Sequence, residues 1–247
     1  MYKLCLNAGH SYTTRGKRCS KKLDPNETRE YVLNKRVCDK IETKLKCYTG
    51  IAILRIDDGT EISIADRCRK ANNYKGNLYL SIHHNAGAKN GIASGIECYV
   101  FPRVDKLTEN YQSSLYSGII STTGNVGNRK SPLRRADFAE LRLTNMCAVL
   151  IECGYMDSVI DTPKILTDSY AEQIAEGVVN TLVSMWGLKL SEPQNSLPVD
   201  VKSDYEIAQE VIRGMYGNGK QRKNILTSMG RDYTAIQKIV NSILKKK

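Results

Sequence analysis

Several things are scarce in this chain of 247 residues, and each scarcity excludes something. No apolar run approaches the roughly 18 consecutive residues that a membrane-spanning helix needs. The opening stretch MYKLCLNAGHSYTTRGKRCSKK has no apolar segment ahead of a small-residue cleavage site, so no secretory leader is expected. None of the eight cysteines stands in a C-x-x-C pair, which leaves a thiolate zinc site or a thioredoxin-type motif without support. Without export a disulfide framework is not expected either, and most cysteines read as small buried apolar side chains. There are only three histidines, His10, His83 and His84, so any imidazole chemistry must draw on these.

What is present is an ordinary globular composition, 41% hydrophobic and 26% charged, in a chain long enough to bury a sizeable core. The formal net charge of +11 favours polyanionic partners through long-range fields. Nucleic acid, an anionic cell wall and a membrane surface all qualify, and solubility alone is the plain alternative.

Up to about residue 188, strand-like and helix-like segments alternate. YKLCLNA, IAILRI, GNLYLSIHHNA, GIECYVF and AVLIECGY read as strands. Between and after them, NETREYVLNKRVCDKIETKLK, EISIADRCRKANNY, KLTENYQSSLYSGIIST and SYAEQIAEGVVNTLVSMW read as helices. In the first helix Val32, Val37, Ile41 and Leu45 recur at near-helical spacing, and Asn26 is positioned to cap its start. This alternation predicts an α/β domain with a three-layer twisted sheet and flanking helices over residues 1–188. Residues 189–202, polar and proline-bearing, read as a linker. Residues 203–247 form a small C-terminal three-helix domain, with Ile207, Val211 and Ile212 on one apolar face and Asp232 capping the last helix.

In open α/β sheets functional groups gather beyond strand ends. His10 follows the first strand, and His83 or His84 follows another, so two imidazoles can converge on one ion. A catalytic zinc site takes three protein ligands plus water, and Glu27 or Glu30 in the helix after His10 could complete a His, His, Glu set. Acidic residues also favour helix N-termini for purely local reasons. Glu152 closes an apolar strand, where a carboxylate is costly unless it is paired or used, which makes it a candidate general base. Adjacent strand residues face opposite sides, so His83 and His84 are not expected to share an ion; the second is read as a surface or cleft residue.

Residues 4 to about 188 resemble the zinc-dependent N-acetylmuramoyl-L-alanine amidases found among bacterial autolysins and phage endolysins. The resemblance rests on the order and spacing of NAGH, ETREYVLN, LRIDD, DRCRKAN, SIHHNA and LRLTNMCAVLIECGYMDS. It implies His10, Glu30 and His83 as ligands of one Zn2+ and Glu152 as the catalytic carboxylate. Cys147 stands where the family usually has proline, YMDS replaces a Phe- and Ser/Asn-containing turn, and His84 occupies a position commonly held by alanine. The implied reaction is hydrolysis of the bond between N-acetylmuramic acid and the L-alanine of the peptidoglycan stem peptide. A zinc peptidase cutting within the stem peptide is the alternative chemistry.

The tail AQEVIRGMYGNGKQRKNILTSMGRDYTAIQKIVNSIL is similar to a short cell-wall-binding repeat of phage lysozymes and amidases. Tyr216 stands in place of the usual tryptophan and Arg231 in place of a tyrosine. Tyr216, Arg222, Asp232 and Tyr233 are its implied wall contacts. The resemblance thus implies peptidoglycan as partner, with neither nucleic acid nor a membrane span, in place of the helix-turn-helix reading that basic charge would also suit. The expected setting is a phage endolysin made in the host cytoplasm and acting at the wall after release, with a bacterial autolysin as alternative.

Overall fold

The computed structural model describes residues 1–88, 91–191, 203–212, 216, 219–228 and 231–245. Two compact units divide the chain, Met1–Ser191 and Glu192–Lys247. In chain order the first contains β1 (Tyr2–Ala8), α1 (Glu30–Leu45), β2 (Tyr48–Thr49), β3 (Ile51–Arg55), α2 (Ile64–Tyr74), β4 (Leu78–Asn85) and β5 (Glu97–Val100). It continues with α3 (Lys106–Thr123), β6 (Leu133–Arg135), α4 (Ala139–Arg142), β7 (Cys147–Tyr155), α5 (Thr162–Ile165), α6 (Asp168–Trp186) and β8 (Lys189–Leu190). No described helix is long and apolar enough to cross a membrane.

Six strands form one mixed sheet in the order β3-β1-β4-β7-β5-β6. β1, β3, β4 and β7 run parallel, and β5 is antiparallel to β7. The period-two alternation of side chains explains why both faces must be covered. Leu4 and Leu6, Leu80 and Ile82, and Val149 and Ile151 point to one face, where they pack under α1, α3 and α6 through Val37, Ile41, Leu115, Ile119, Ile174 and Val178. Their neighbours Cys5, Tyr79, Ala148 and Leu150 point to the other face and meet Ala71 of α2 and Leu141 of α4. α3 and α6 cross closely: a Cβ on Gly177 would lie 2.6 Å from Ile119 Cα. All eight cysteines are free and six are buried.

Local capping follows sequence at three helices. Ser63, Asp105 and Thr167 accept the N–H of Asp66, Thr108 and Tyr170 at the starts of α2, α3 and α6. α1 departs from expectation. It begins at Glu30 with no side-chain cap, and Asn26 lies four residues upstream, in a turn organised by Asp24. The Glu30 N–H donates to the Lys17 carbonyl, and the N–H groups of Val32 and Leu33 both reach the Arg29 carbonyl.

Strand pairing also runs past the expected end of the domain. Lys189 and Leu190, read as the start of a linker, pair antiparallel with Thr49 and Tyr48. Two-residue pairing leaves no periodicity to detect, and neighbouring polar residues dominate the composition. The rest of that stretch, 192–202, lies outside the described residues.

The second unit contains α7 (Asp204–Ile212), α8 (Gly219–Ser228) and α9 (Tyr233–Lys245). Its core is Ile207, Ala208, Val211, Leu226, Ile236 and Val240. Asp232 Oδ1 accepts the N–H of Thr234 and Ala235, capping α9.

Candidate active site

Three distant segments meet at the C-terminal ends of β1 and β4. His10 lies just beyond β1 with φ +67°, a left-handed conformation uncommon for a residue with a side chain. The buried guanidinium of Arg67, from α2, donates to the carbonyls of Ala8 and His10 and to Asn7 Oδ1, and so holds this turn. Gly9 must be glycine: a Cβ there would fall 2.0 Å from the His83 ring. His83 comes from β4 and Glu30 from the first turn of α1. Glu30 Oε1 lies 3.2 Å from His10 Nε2 and 3.1 Å from His83 Nδ1, and the two rings meet edge to face.

His10, Glu30 and His83 each present one ligand atom within 4.8 Å of the others. Two imidazole nitrogens and a carboxylate oxygen suit zinc. Burial alone would raise the Glu30 pKa, but hydrogen bonds from both histidines hold it well below the usual carboxylate range. Burial would lower that of His83, but Glu140 and Glu30 outweigh it and raise it to about 10.

Glu152 stands beside this group, as the direct cross-strand partner of His83. Its Oε2 is buried and has no hydrogen-bond partner among the described residues. Burial is the main reason its carboxyl is pushed up to about 8, opposed by His83 and reinforced by Glu30 and Glu97. A buried, unpaired carboxyl oxygen beside a histidine–carboxylate donor set fits a metal-centred hydrolytic site.

Sequence reasoning missed Glu140, on the short helix α4. It is buried, and its carboxylate accepts from Asn7 Nδ2 at 3.1 Å, Tyr79 OH at 3.0 Å and Ser81 Oγ at 2.7 Å. Its other oxygen lies 3.5 Å from His83 Nε2. His83 thus has one ring nitrogen toward Glu30 and the other toward Glu140, the arrangement that orients a ligand histidine and makes it a better base. The only hint in the sequence is a carboxylate inside FAEL, flanked by apolar residues. Glu140→Gln is expected to weaken zinc affinity about 10–100-fold while the protein still folds. Competition against a chromogenic chelator measures this, and unchanged affinity would remove Glu140 from the site.

Two residues considered for the site are elsewhere. Glu27 precedes α1, with φ +48° and its carboxylate 3.6 Å from Arg18. His84 is neither at the surface nor in the cleft. It is buried, and its Nδ1 lies 2.8 Å from Asn34 Oδ1, one turn along α1 from Glu30. Asn34 in turn donates to the Gly9 carbonyl at 3.0 Å. Burial is the main cause that drives the His84 pKa down to about 3, so the ring is neutral and must donate through Nδ1. Alternation holds at His84: like Leu80 and Ile82 it faces the layer that contains α1, and the expectation failed because α1 covers this end of β4 and buries the ring against Asn34.

In the second unit, Tyr216 donates to Glu210 at 2.6 Å and Arg222 to Gln237 at 3.2 Å. Asp232 caps α9, and Tyr233 packs partly buried against the core. All four expected wall contacts therefore have partners inside the unit.

Known proteins similar to this chain divide it at the same place. The N-acetylmuramoyl-L-alanine amidase family matches residues 4–184, and the CW_7 repeat matches residues 205–244. The sporulation-specific N-acetylmuramoyl-L-alanine amidase of Bacillus subtilis (strain 168) is 29% identical over 203 residues, 81% of this chain and 74% of that protein. The endolysin of Bacillus phage SPP1 is 28% identical over 189 residues, 74% of this chain and 66% of its own length. Among solved structures, an N-acetylmuramoyl-L-alanine amidase from Clostridium difficile 630 superposes with a TM-score of 0.68 at 28% identity, covering 75% of this chain and 97% of that one.

Proposed function

Since this chain belongs to the N-acetylmuramoyl-L-alanine amidase family, we propose that it is a zinc-dependent hydrolase of peptidoglycan. It cleaves the amide between the lactyl group of N-acetylmuramic acid and the L-alanine nitrogen of the stem peptide. The observation that carries this reading is the convergence of His10, Glu30 and His83 beside the unpartnered Glu152 oxygen.

His10, Glu30 and His83 would hold one Zn2+, with Glu140 fixing the His83 ring. A zinc ion bound there supplies Lewis acidity for the scissile carbonyl and lowers the pKa of water. A cation held by these residues would favour the ionised form of Glu152, the form able to accept a proton. Glu152 Oε2 takes a proton from the attacking water as its oxygen adds to the carbonyl carbon. It returns that proton to the L-alanine nitrogen as the C–N bond breaks. Burial of the carboxylate keeps bulk water from competing for the proton.

The tail unit is proposed to hold the enzyme on the wall, a reading supported by its match to the CW_7 repeat. Tethering raises the local concentration of substrate bonds. Tyr216, Arg222, Asp232 and Tyr233 remain the proposed contacts. Their intramolecular bonds would hold them in place for that role. The similarity to the SPP1 endolysin supports a phage endolysin as the biological setting, and the similarity to the Bacillus subtilis amidase supports the alternative of a bacterial autolysin.

Digestion of purified peptidoglycan with and without a chelator tests the chemistry. Mass spectrometry is expected to find intact glycan and stem peptides with a free L-alanine amine, a product that disappears on chelation and returns with zinc. Fragments cut within the stem peptide would indicate a peptidase instead.

A further inference from the structure

The row of chemical groups across the sheet does not end at Glu152. His83 faces Glu152 across β4 and β7, and Glu152 faces Glu97 across β7 and β5. Adjacent strands lie about 4.8 Å apart, so Glu97 is one strand beyond the proposed general base. Glu97 is buried, and its Oε2 accepts from Asn85 Nδ2 at 2.9 Å and from the Tyr99 and Tyr155 hydroxyls at 3.0 Å each. Its Oε1 takes Arg129 Nε at 3.3 Å and Arg134 Nη1 at 3.2 Å.

One carboxylate thus anchors two guanidiniums, leaving net positive charge at the rim. Both side chains are 37% exposed. They line an open cavity of about 570 Å³ together with Lys130, Ser131 and Arg135, and no acidic residue lines it among the described residues. Arg129 is bound only through Nε, so its two Nη groups have no hydrogen-bond partner among the described residues. Arg134 lies over the Tyr99 ring, 5.7 Å from its centroid, which restrains its plane. Two pre-positioned guanidiniums beside an acid-free cavity make a receptor for a carboxylate.

Taking the amidase reading as its premise, we infer that Arg129 and Arg134 form a subsite for a free carboxylate on the stem peptide close to the scissile amide. The residue after L-alanine is a glutamate joined through its side-chain carboxyl, so its α-carboxyl is either free or amidated. That group lies within two residues of the scissile nitrogen, a reach of about 7 Å in extended chain, which exceeds the single strand width of about 4.8 Å between Glu152 and Glu97, the carboxylate that holds both arginines. The subsite therefore selects walls in which this carboxyl is unamidated.

The test compares two synthetic muramoyl tripeptides that differ only in a free acid or a primary amide at this position. With the full-length zinc-loaded protein, kcat/KM is expected to favour the free acid by about tenfold or more, as one charge-assisted contact allows. Arg129→Gln and Arg134→Gln are each expected to bring that ratio toward one, and Arg129→Lys to retain part of it. The wild-type comparison decides without relying on any variant. Equal kcat/KM for both substrates overturns the subsite and leaves the amidase reading standing. Cleavage of neither overturns both together.

Discussion

Glu152→Gln is expected to lower peptidoglycan hydrolysis by about 10²–10⁴-fold, the usual contribution of a positioned general base, and to leave zinc content unchanged. The amide keeps the shape of the carboxyl but cannot take the proton from water. His10, Glu30 and His83 are untouched, so metal measured by elemental analysis separates a lost base from a lost site. Wild-type activity in this variant would remove Glu152 from the mechanism.

The same substitution has a second readout in the metal-free protein. Burial raises the Glu152 pKa from the ordinary 4.5 to about 8, so the folded protein holds this proton more tightly than the unfolded chain does. Stability from this group is fully present below about pH 4.5 and is lost as pH rises through about 8. Glutamine does not titrate. Metal-free Glu152→Gln is therefore expected to melt close to wild type at pH 5 and several degrees above it at pH 9, since each pKa unit is worth about 1.4 kcal/mol. Parallel melting curves across this range would contradict a buried, unpartnered carboxyl. On the proposed mechanism function opposes stability here: Glu152 Oε2 has no partner among the described residues and is the atom that would take the proton.

The two neighbouring histidines are expected to fail in different ways. His83→Ala removes one of the three proposed ligand atoms and leaves Glu30 and Glu140, both buried, without their shared partner. Zinc content and hydrolysis should both fall to background. His84→Ala should keep zinc but lose stability. It removes the 2.8 Å bond to Asn34 Oδ1 and opens a buried space, at a cost of about 1–3 kcal/mol for the unsatisfied amide oxygen alone. Asn34 also bridges to the Gly9 carbonyl beside His10, so a modest drop in zinc affinity can accompany the loss of stability. Equal and complete zinc loss in both variants would mean that His84, too, ligates the ion.

Much of this molecule is determined by sequence alone. Leu4 and Leu6 alternate with Cys5, and Leu80 and Ile82 with Tyr79, so these strands had to be covered on both faces, which is a three-layer α/β fold. His10, His83 and Glu152 are conspicuous because imidazole is rare in this chain and a carboxylate is costly in an apolar strand. Choosing Glu30 over Glu27 took the family motif, since both positions satisfy a local preference for acid near a helix start. Tertiary structure decided the rest. It laid α1 over the end of β4 so that Asn34 meets His84, left Asn26 outside the helix it was expected to cap, and set Glu140 against groups as far as 133 positions away. It also put Glu97, with its two arginines, in line with Glu152. Periodicity records which face a residue buries, because that depends on its own strand or helix. Which atom meets which partner depends on how separate strands come into register, and that is settled only when the sheet assembles.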